Sequence, residues 1–196
     1  MKYIITDKRR ERIEKVALQR QFSLHLVLEN IHDPHNVSAI FRTCEGAGIP
    51  DVSLVYNQEK FPKIGKKSSA SAYKWIDKEK YETIDECYSN LHKQGFKIYA
   101  STLAGDPVNL YDLDLTEKCA IVMGNEHRGI SDEAGEKADK TFMIPMHGII
   151  QSLNVSVSAA IILYEAARQR AAKGMYEKSE LSPDRLNEFT DYLSKK

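Results

Sequence analysis

Residues 144–160 read IPMHGIIQSLNVSVSAA, a polar loop that leads straight into an apolar helix. After Gln151, Ser152 and Asn154, aliphatic residues are interleaved with serines and alanines as far as about Ala172. Apolar residues around the whole helix predict burial on every side. Small residues would also let another backbone approach closely. A first turn that carries Ser and Asn presents free N–H groups and polar side chains. The stretch therefore predicts a ligand site at the start of a buried helix.

The rest of the chain alternates short apolar strands with helices. Apolar runs predict strands at 24–28, 51–56, 97–102, 119–123 and 141–144. Capping residues and helical spacing predict helices over 8–20, from about 37 to 46 and from 83 to 95. A short helix is predicted to begin at Ser131, the long helix after the polar loop to end at about 172, and a last helix to run from Ser182 to about 193. The lysine- and serine-rich residues 57–80 are interpreted as irregular. This order predicts an α/β fold, a mostly parallel sheet with helices on both faces.

Polar and glycine-rich loops follow the predicted strands. In parallel sheets, ligands bind outside the carboxyl ends of the strands. We therefore expect a single site built from four loops, which are residues 29–36, 102–105, 124–129 and 145–154.

Composition and missing motifs exclude several classes of protein. The 196 residues, 42% of them hydrophobic, suffice for one core. No run reaches membrane-spanning length and the N-terminus lacks a signal peptide, which predicts a cytoplasmic protein. Three distant cysteines suggest reduced thiols. The chain lacks the glycine patterns of dinucleotide sites and P-loops, and the G-x-S-x-G of α/β-hydrolases. His32 and His35 have a metal-like spacing, but a turn is the favoured interpretation and no metal is expected.

The net charge of zero hides an uneven distribution. Residues 1–20 carry seven basic and three acidic groups, residues 60–80 seven and two, and residues 168–178 four and one. These segments sum to +12, so the remaining chain carries −12. Separate basic segments favour a polyanion that is held at chosen places, although ordinary solvated helix faces explain the charge about as well.

Three long motifs together resemble a known family. They are residues 29–44 (ENIHDPHNVSAIFRTC), 121–131 (IVMGNEHRGIS) and 144–160. In this order they resemble the SpoU (TrmH) branch of the SPOUT RNA methyltransferases, over roughly residues 22–172. The resemblance implies a trefoil-knotted α/β domain, S-adenosyl-L-methionine as the methyl donor and a homodimer whose site is completed by the partner's arginines.

The flanks are similar to the branch of this family that methylates the ribose of the D-loop guanosine, position eighteen, of tRNA. That similarity implies a basic N-terminal helical extension (1–21), a methyltransferase domain (22–172) and a C-terminal helical extension (173–196). Methylation of another tRNA position or of ribosomal RNA, and a non-catalytic RNA-binding module, remain as alternatives.

The resemblance also assigns roles to residues. It implies Arg42 as the central catalytic residue. Because a guanidinium is a poor base, we expect Arg42 to orient the ribose and stabilise the developing alkoxide. The other catalytic candidates are Asn36, Glu126, Ser152 and Asn154. Donor-binding candidates are Thr102, Leu103, Gly124, Ile144, Met146 and Leu153. Expected contacts with the tRNA backbone are Arg9, Arg12, Arg20, Lys66, Lys67, Arg168 and Arg170.

Overall fold

The computed structural model describes residues 6–63 and 72–196 of the chain. The strands are β1 (Leu24–Glu29), β2 (Asp51–Val55), β3 (Asp77–Tyr81), β4 (Lys97–Ser101), β5 (Val108–Asn109), β6 (Cys119–Met123) and β7 (Lys140–Met143). The helices are α1 (Asp7–Leu18), α2 (Pro34–Ala47), α3 (Ala72–Trp75), α4 (Ile84–Lys93), α5 (Asp132–Glu136), α6 (Val155–Ala172) and α7 (Pro183–Lys195). No helix within the described ranges is both long and apolar enough to span a membrane.

The strands form one sheet in the order β3-β2-β1-β6-β4-β7-β5. All six strand pairs are parallel. At its centre, Leu26 of β1 lies opposite Val52 of β2 on one side and Ile121 of β6 on the other. The carboxyl ends of the strands therefore meet at one edge, as the sequence predicts.

Helices cover both faces of the sheet. Successive residues of a strand point to opposite faces. Leu26 belongs to the core cluster that includes Phe41 of α2 and Ile162 of α6. Its neighbour Val27 belongs to the other cluster, with Leu91 of α4. The predicted arrangement of helices on both faces is confirmed.

Local signals place α2 at the edge where the strands end. The Asp33 side chain accepts a 2.8 Å hydrogen bond from the His35 N–H, and Pro34 occupies the first turn. Gly48 ends the helix with φ of 83°, and a Cβ there would lie 2.9 Å from the Gln19 carbonyl oxygen. Only glycine fits this turn without strain. The turn holds the end of α2 against the segment after α1.

The two terminal helices pack against each other. Ile13 and Ala17 of α1 form a small core with Leu193 of α7. Phe22 contacts Phe189 edge to face, with ring centroids 5.1 Å apart. The N-terminal and C-terminal segments thus form one shared unit beside the sheet.

The sequence interpretation of residues 57–80 is wrong at its C-terminal end. Residues 64–71 lie outside the described part of the chain, but α3 and β3 follow them. β3 reads DKEKY, lies at the edge of the sheet and is only half-buried. Charged edge strands lack the apolar signature of central strands, which explains why β3 was not predicted. The two-residue strand β5 was also missed.

α6 differs from the expectation of burial on every side. Ala159, Ile162 and Ala166 are buried against the sheet, whereas Val157 and Tyr164 are 46% and 56% exposed. The helix begins at Val155 with Asn154 as its N-cap, so Ser152 belongs to the preceding loop. One apolar face of α6 is therefore open to solvent in the single chain.

Candidate active site

A cavity of about 410 Å³ lies at the carboxyl ends of β4, β6 and β7. This volume falls within the usual range for small-molecule sites. The walls come from the segments 101–104, 123–129 and 143–146, together with residues around the start of α6. Three of the four predicted loops therefore converge on one cavity. The fourth, residues 29–36, does not line it.

All six residues predicted to bind the methyl donor line this cavity. Leu103 is 55% exposed. Ile144 and Met146 belong to the segment after β7. The cavity-lining donor candidates are Thr102, Leu103, Gly124, Ile144, Met146 and Leu153.

Gly124 allows the second motif to fold back on itself. The N–H of Asn125 donates to the Gly129 carbonyl at 2.8 Å, and the Gly129 N–H returns a 2.9 Å bond to the Asn125 carbonyl. A Cβ on Gly124 would lie 2.1 Å from the carbonyl carbon of Gly129. Only glycine permits this approach of two backbone segments. The tight loop carries Glu126 to the rim of the cavity.

Glu126 holds the loop that follows β1. Its carboxylate accepts hydrogen bonds from the backbone N–H groups of His32 (3.0 Å) and Asp33 (3.2 Å) and from Nδ2 of Asn36 (2.8 Å). Partial burial opposes ionisation, but the hydrogen bonds from Asn36 and the backbone outweigh it and lower the pKa of Glu126. The side chain is therefore an ionised organiser of the first motif.

Asn36 continues this link to the third motif. Its Oδ1 accepts a 3.1 Å hydrogen bond from Nδ2 of Asn154. Asn154 in turn caps α6, because its Oδ1 accepts from the N–H groups of Ser156 and Val157. One chain of hydrogen bonds, from Glu126 through Asn36 to Asn154, thus joins all three motifs.

Asn30 is a second organiser, and it was not among the predicted site residues. Its backbone is left-handed, with φ of 51°. Its Oδ1 accepts from the backbone N–H groups of residues 57–59, each at 3.1 Å, and its carbonyl accepts from Nδ2 of Asn125 at 2.8 Å. Asn tolerates the left-handed region better than most residues. That tolerance is the only signal in the sequence, since every partner is distant along the chain.

Arg42 lies apart from the cavity in the single chain. It is exposed on α2 and makes no hydrogen bond or ion pair with any residue that the structure describes. Gly46 lies one turn further along α2, and a Cβ there would be 3.1 Å from the hydroxyl of Tyr164 on α6. Arg42 is thus beside the exposed face of α6. Of the five catalytic candidates, Glu126 and Ser152 line the cavity, whereas Arg42, Asn36 and Asn154 do not.

The predicted RNA contacts divide into exposed and buried residues. Arg9 and Arg12 are exposed on α1. Arg168 is exposed on α6 and forms a 2.8 Å ion pair with Glu165. Lys66 and Lys67 lie outside the described residues.

Arg170 is 0% exposed in the single chain, and its contact with RNA stays a prediction. Its guanidinium donates to the carbonyl oxygens of Leu115, Ser23 and Glu117 at 2.8–3.0 Å. Arg20 is likewise only 1% exposed in the single chain. Both arginines join distant segments of backbone, a role that basic composition alone does not reveal.

The histidine pair shows no metal geometry. His32 lies 3.3 Å from the Glu59 carboxylate, and Glu59 also pairs with Arg128 at 2.9 Å. Within residues 6–63 and 72–196, no three His, Cys, Asp or Glu side chains are grouped in a way that could hold a metal ion.

The chain is similar to known RNA methyltransferases. The profile of the SpoU rRNA Methylase family matches residues 23–164. The tRNA (guanosine(18)-2'-O)-methyltransferase of Thermus thermophilus is 40% identical over 191 residues, which cover 97% of this chain and 98% of that enzyme.

Two solved structures show the same fold. The crystal structure of the A. aeolicus TrmH/SpoU tRNA modifying enzyme is 38% identical, with a TM-score of 0.88, and covers 95% of this chain and 94% of that chain. The SpoU methyltransferase AviRb from Streptomyces viridochromogenes, in complex with the cofactor AdoMet, has a TM-score of 0.70 and 23% identity. It covers 79% of this chain and 62% of that chain. At that identity the likeness concerns the fold alone.

Proposed function

The chain belongs to the SpoU rRNA Methylase family, and we propose that it methylates the ribose 2′-hydroxyl of guanosine 18 in the D-loop of tRNA. The observation that carries this proposal is the match to a tRNA enzyme along nearly the whole length of both chains. That match includes the α1 and α7 segments, which lie outside residues 23–164 of the family profile. The same match supports tRNA over ribosomal RNA as the substrate.

The cavity suits S-adenosylmethionine as the methyl donor. Apolar Leu103, Ile144 and Leu153 can contact an adenine ring, and the backbone around Gly124 offers N–H and C=O groups at close range. When bound, S-adenosylmethionine supplies an electrophilic sulfonium methyl group. The walls combine apolar side chains with a similar share of polar groups, and polar groups that converge on a cavity can fix the orientation of a ligand.

Within this proposal Arg42 acts on the sugar rather than as a proton acceptor. A guanidinium with a pKa above about 12 is a poor base. Its five donors can orient the ribose or an adjacent phosphate and stabilise negative charge as it develops on the 2′-oxygen. In-line transfer then forms the new O–CH₃ bond as the S–CH₃ bond breaks, and the hydroxyl proton passes to water. Asn36, Glu126 and Asn154 are positioning residues that hold the first and third motifs together.

We further propose a homodimer in which Arg42 of one protomer reaches the partner's cavity. Val157 and Tyr164 lie seven residues apart on the exposed face of α6, and the nearby loop exposes Ile149 and Ile150. Exposed apolar patches of this kind mark interaction sites. Because Arg42 borders this face and not its own cavity, a second chain would complete the site. Light scattering should show a dimer that Val157→Glu weakens and Val108→Glu, on an equally apolar exposed position of β5, does not.

Three further features of the proposal rest on the family. The segment 144–154, which lies between β7 and α6 and borders the cavity, is expected to thread the knot. The division into 1–21, 22–172 and 173–196 assigns RNA binding to the two extensions and chemistry to the central part. A tRNA substrate supports the expected cytoplasmic location.

The decisive experiment transfers labelled methyl from S-adenosylmethionine to two tRNA transcripts. One carries guanosine at position 18 and the other carries 2′-deoxyguanosine there, so that they differ by one hydroxyl. We expect label only in the first. Equal labelling of both transcripts, or labelling of ribosomal RNA alone, would disprove the proposed substrate.

A further inference from the structure

The cavity of the candidate active site has an apolar part and a charged part. Leu103 and Ile144 follow β4 and β7, whereas Glu126 and Arg128 belong to the loop that follows β6. In the sheet, β6 lies between β1 and β4, so the charged loop borders the side of the cavity that is next to β1. The two parts therefore suit the two unlike ends of an elongated ligand.

The proposed methyl donor is such a ligand. Its adenine ring has apolar faces, whereas its amino-acid end carries an ammonium group and a carboxylate. The carboxylate is the only negative group of S-adenosylmethionine. Because a charge that leaves water is costly without a partner, a cavity that takes this end must offer the carboxylate a positive or hydrogen-bond-donating group.

Arg128 is the only arginine or lysine among the described residues that line the cavity. Glu126 is the only Asp or Glu among them, and its charge would repel the carboxylate of the donor. The start of α6 does not replace Arg128, because Oδ1 of Asn154 already accepts from the N–H groups of Ser156 and Val157. Arg128 is therefore the lining residue whose permanent positive charge can meet a carboxylate.

Glu59 holds Arg128 at the rim of the cavity. Nη2 of Arg128 donates to Oε1 of Glu59 at 2.9 Å, and this hydrogen bond lowers the pKa of Glu59, so the carboxylate stays ionised. The backbone N–H of Glu59 donates to Oδ1 of Asn30 at 3.1 Å, which ties Glu59 to the loop after β1. The Arg128 side chain makes no other hydrogen bond within the described ranges, so four of the five N–H bonds of a guanidinium are left for a ligand. The side chain is 53% exposed, so a ligand can reach them.

We propose that Arg128 binds the carboxylate of the methyl donor. The proposal rests on the proposed function, because it takes S-adenosylmethionine as the ligand of the cavity. A guanidinium and a carboxylate form charge-assisted hydrogen bonds, frequently as two parallel N–H···O contacts. Arg128 thus recognises a part of the donor that takes no part in methyl transfer, and it distinguishes the donor from nucleosides that lack an amino-acid end.

The test compares two ligands by calorimetric titration into the full chain without RNA. One ligand is S-adenosylmethionine, and the other is decarboxylated S-adenosylmethionine, which lacks only the carboxylate. Wild type should bind the decarboxylated ligand about fivefold to tenfold more weakly, because a charge-assisted contact is missing. Arg128→Gln should lose this preference, so that its two dissociation constants differ by less than about twofold.

Three controls separate a contact with the carboxylate from other effects of the substitution. 5′-Methylthioadenosine lacks the whole amino-acid end and should bind wild type and Arg128→Gln equally. His127→Gln changes the neighbouring residue, which also lines the cavity, and should keep the wild-type preference. Arg185→Gln removes one positive charge from an exposed position of α7 outside the cavity and should keep the preference as well.

The outcomes distinguish this inference from the proposed function. An unchanged preference in Arg128→Gln would overturn the inference and leave the proposed methyl transfer intact. Weaker binding of 5′-methylthioadenosine by Arg128→Gln, or a lost preference in His127→Gln, would overturn it too, because the effect would then belong to the shape of the cavity or to His127. Failure of wild type to bind either donor ligand would refute S-adenosylmethionine as the donor, and with it both the proposed function and the role of Arg128.

Discussion

The side-chain amide of Asn36 donates a 2.8 Å hydrogen bond to Oε1 of Glu126, which joins two loops that lie 90 residues apart in the sequence. The loops meet because β1 and β6 are neighbours in the sheet. Asn154 extends the connection to the N-terminus of α6. The geometry of the site therefore depends on one carboxylate and two amides that bridge separate elements.

Replacement of Asn36 should impair catalysis more than stability. Asn36→Ala removes both bridging bonds, and a displacement of about 1 Å in the first motif can lower kcat by about 10²-fold. Steady-state kinetics with tRNA and labelled donor measure this loss. The exposed Asn187→Ala serves as the control and should keep wild-type kcat. A kcat for Asn36→Ala within about twofold of wild type would show that the bridge has no positioning role.

The loss of activity should depend on pH when Asn36 is replaced by aspartate (Asn36→Asp). A second carboxylate beside Glu126 would repel it, so the pair would hold one proton more readily. We expect the activity of Asn36→Asp, relative to wild type, to rise as the pH is lowered from 8 to about 6. A constant ratio across this range would contradict the proposed contact.

Glu126 should stabilise the fold in a pH-dependent way. Partial burial raises its pKa, but the hydrogen bonds from Asn36 and from the N–H groups of His32 and Asp33 lower it further, to a net value below the ordinary one. A lowered folded-state pKa gives stability that is complete above the ordinary value of about 4.3 and is lost as the pH falls through the lowered pKa.

Thermal unfolding between pH 3 and 7 tests this expectation about Glu126. Glu126→Gln should unfold at a lower temperature than wild type at pH 7, and the difference should shrink towards pH 3. The exposed Glu188→Gln is the control and should follow wild type throughout. A difference that stays constant with pH would assign the effect of Glu126→Gln to packing instead of charge.

The sequence predicts local features of this fold well. Thr83 and Ser182 start helices where expected, and the central strands follow their apolar runs. These signals are local, since a cap or an apolar run needs only neighbouring residues. The donor candidates also lie together, because loops that follow parallel strands must meet at one edge.

Long-range features were not predictable. Arg170 was expected on the surface, yet its acceptors are carbonyl groups 53–147 residues away, which no local pattern reveals. Asn30 accepts hydrogen bonds from the segment 57–59, and no local pattern reveals this contact either, because its partners are distant along the chain. β3 carries charges because it lies at an edge. That Arg42 lies outside the cavity of its own chain is likewise absent from any local signal.

Gly124→Ala should disrupt the second motif. The added Cβ would lie within 2.2 Å of backbone atoms of Gly129 and Ile130, so the loop must move. We expect a loss of about 3 kcal/mol in the free energy of unfolding, together with loss of donor binding. Gly135→Ala, within α5 and 3.6 Å from the nearest atom, should instead stabilise by roughly 0.5–1 kcal/mol. Denaturant unfolding measures both, and equal effects would exclude the steric explanation.

Arg42→Ala should remove activity without changing stability. The side chain is exposed and makes no hydrogen bond within the described ranges, so the free energy of unfolding should change by less than about 0.5 kcal/mol. Loss of a group that stabilises the developing alkoxide should lower kcat by about 10²–10³-fold. Arg42→Lys keeps the charge but loses the fork, and should recover part of the activity.

Mixed dimers decide whether Arg42 works in its own chain or in the partner. Ala104 is exposed at the rim of the cavity, and Ala104→Trp should block donor binding, which calorimetry can verify on the pure variant. Neither Arg42→Ala nor Ala104→Trp should be active alone. In a mixed dimer, however, the intact cavity of the Arg42→Ala chain can meet the intact Arg42 of the other chain. Random exchange at equal concentrations should therefore restore about a quarter of wild-type activity. If Arg42 acts within its own chain, every site in the mixture lacks either the arginine or the cavity, and no activity returns.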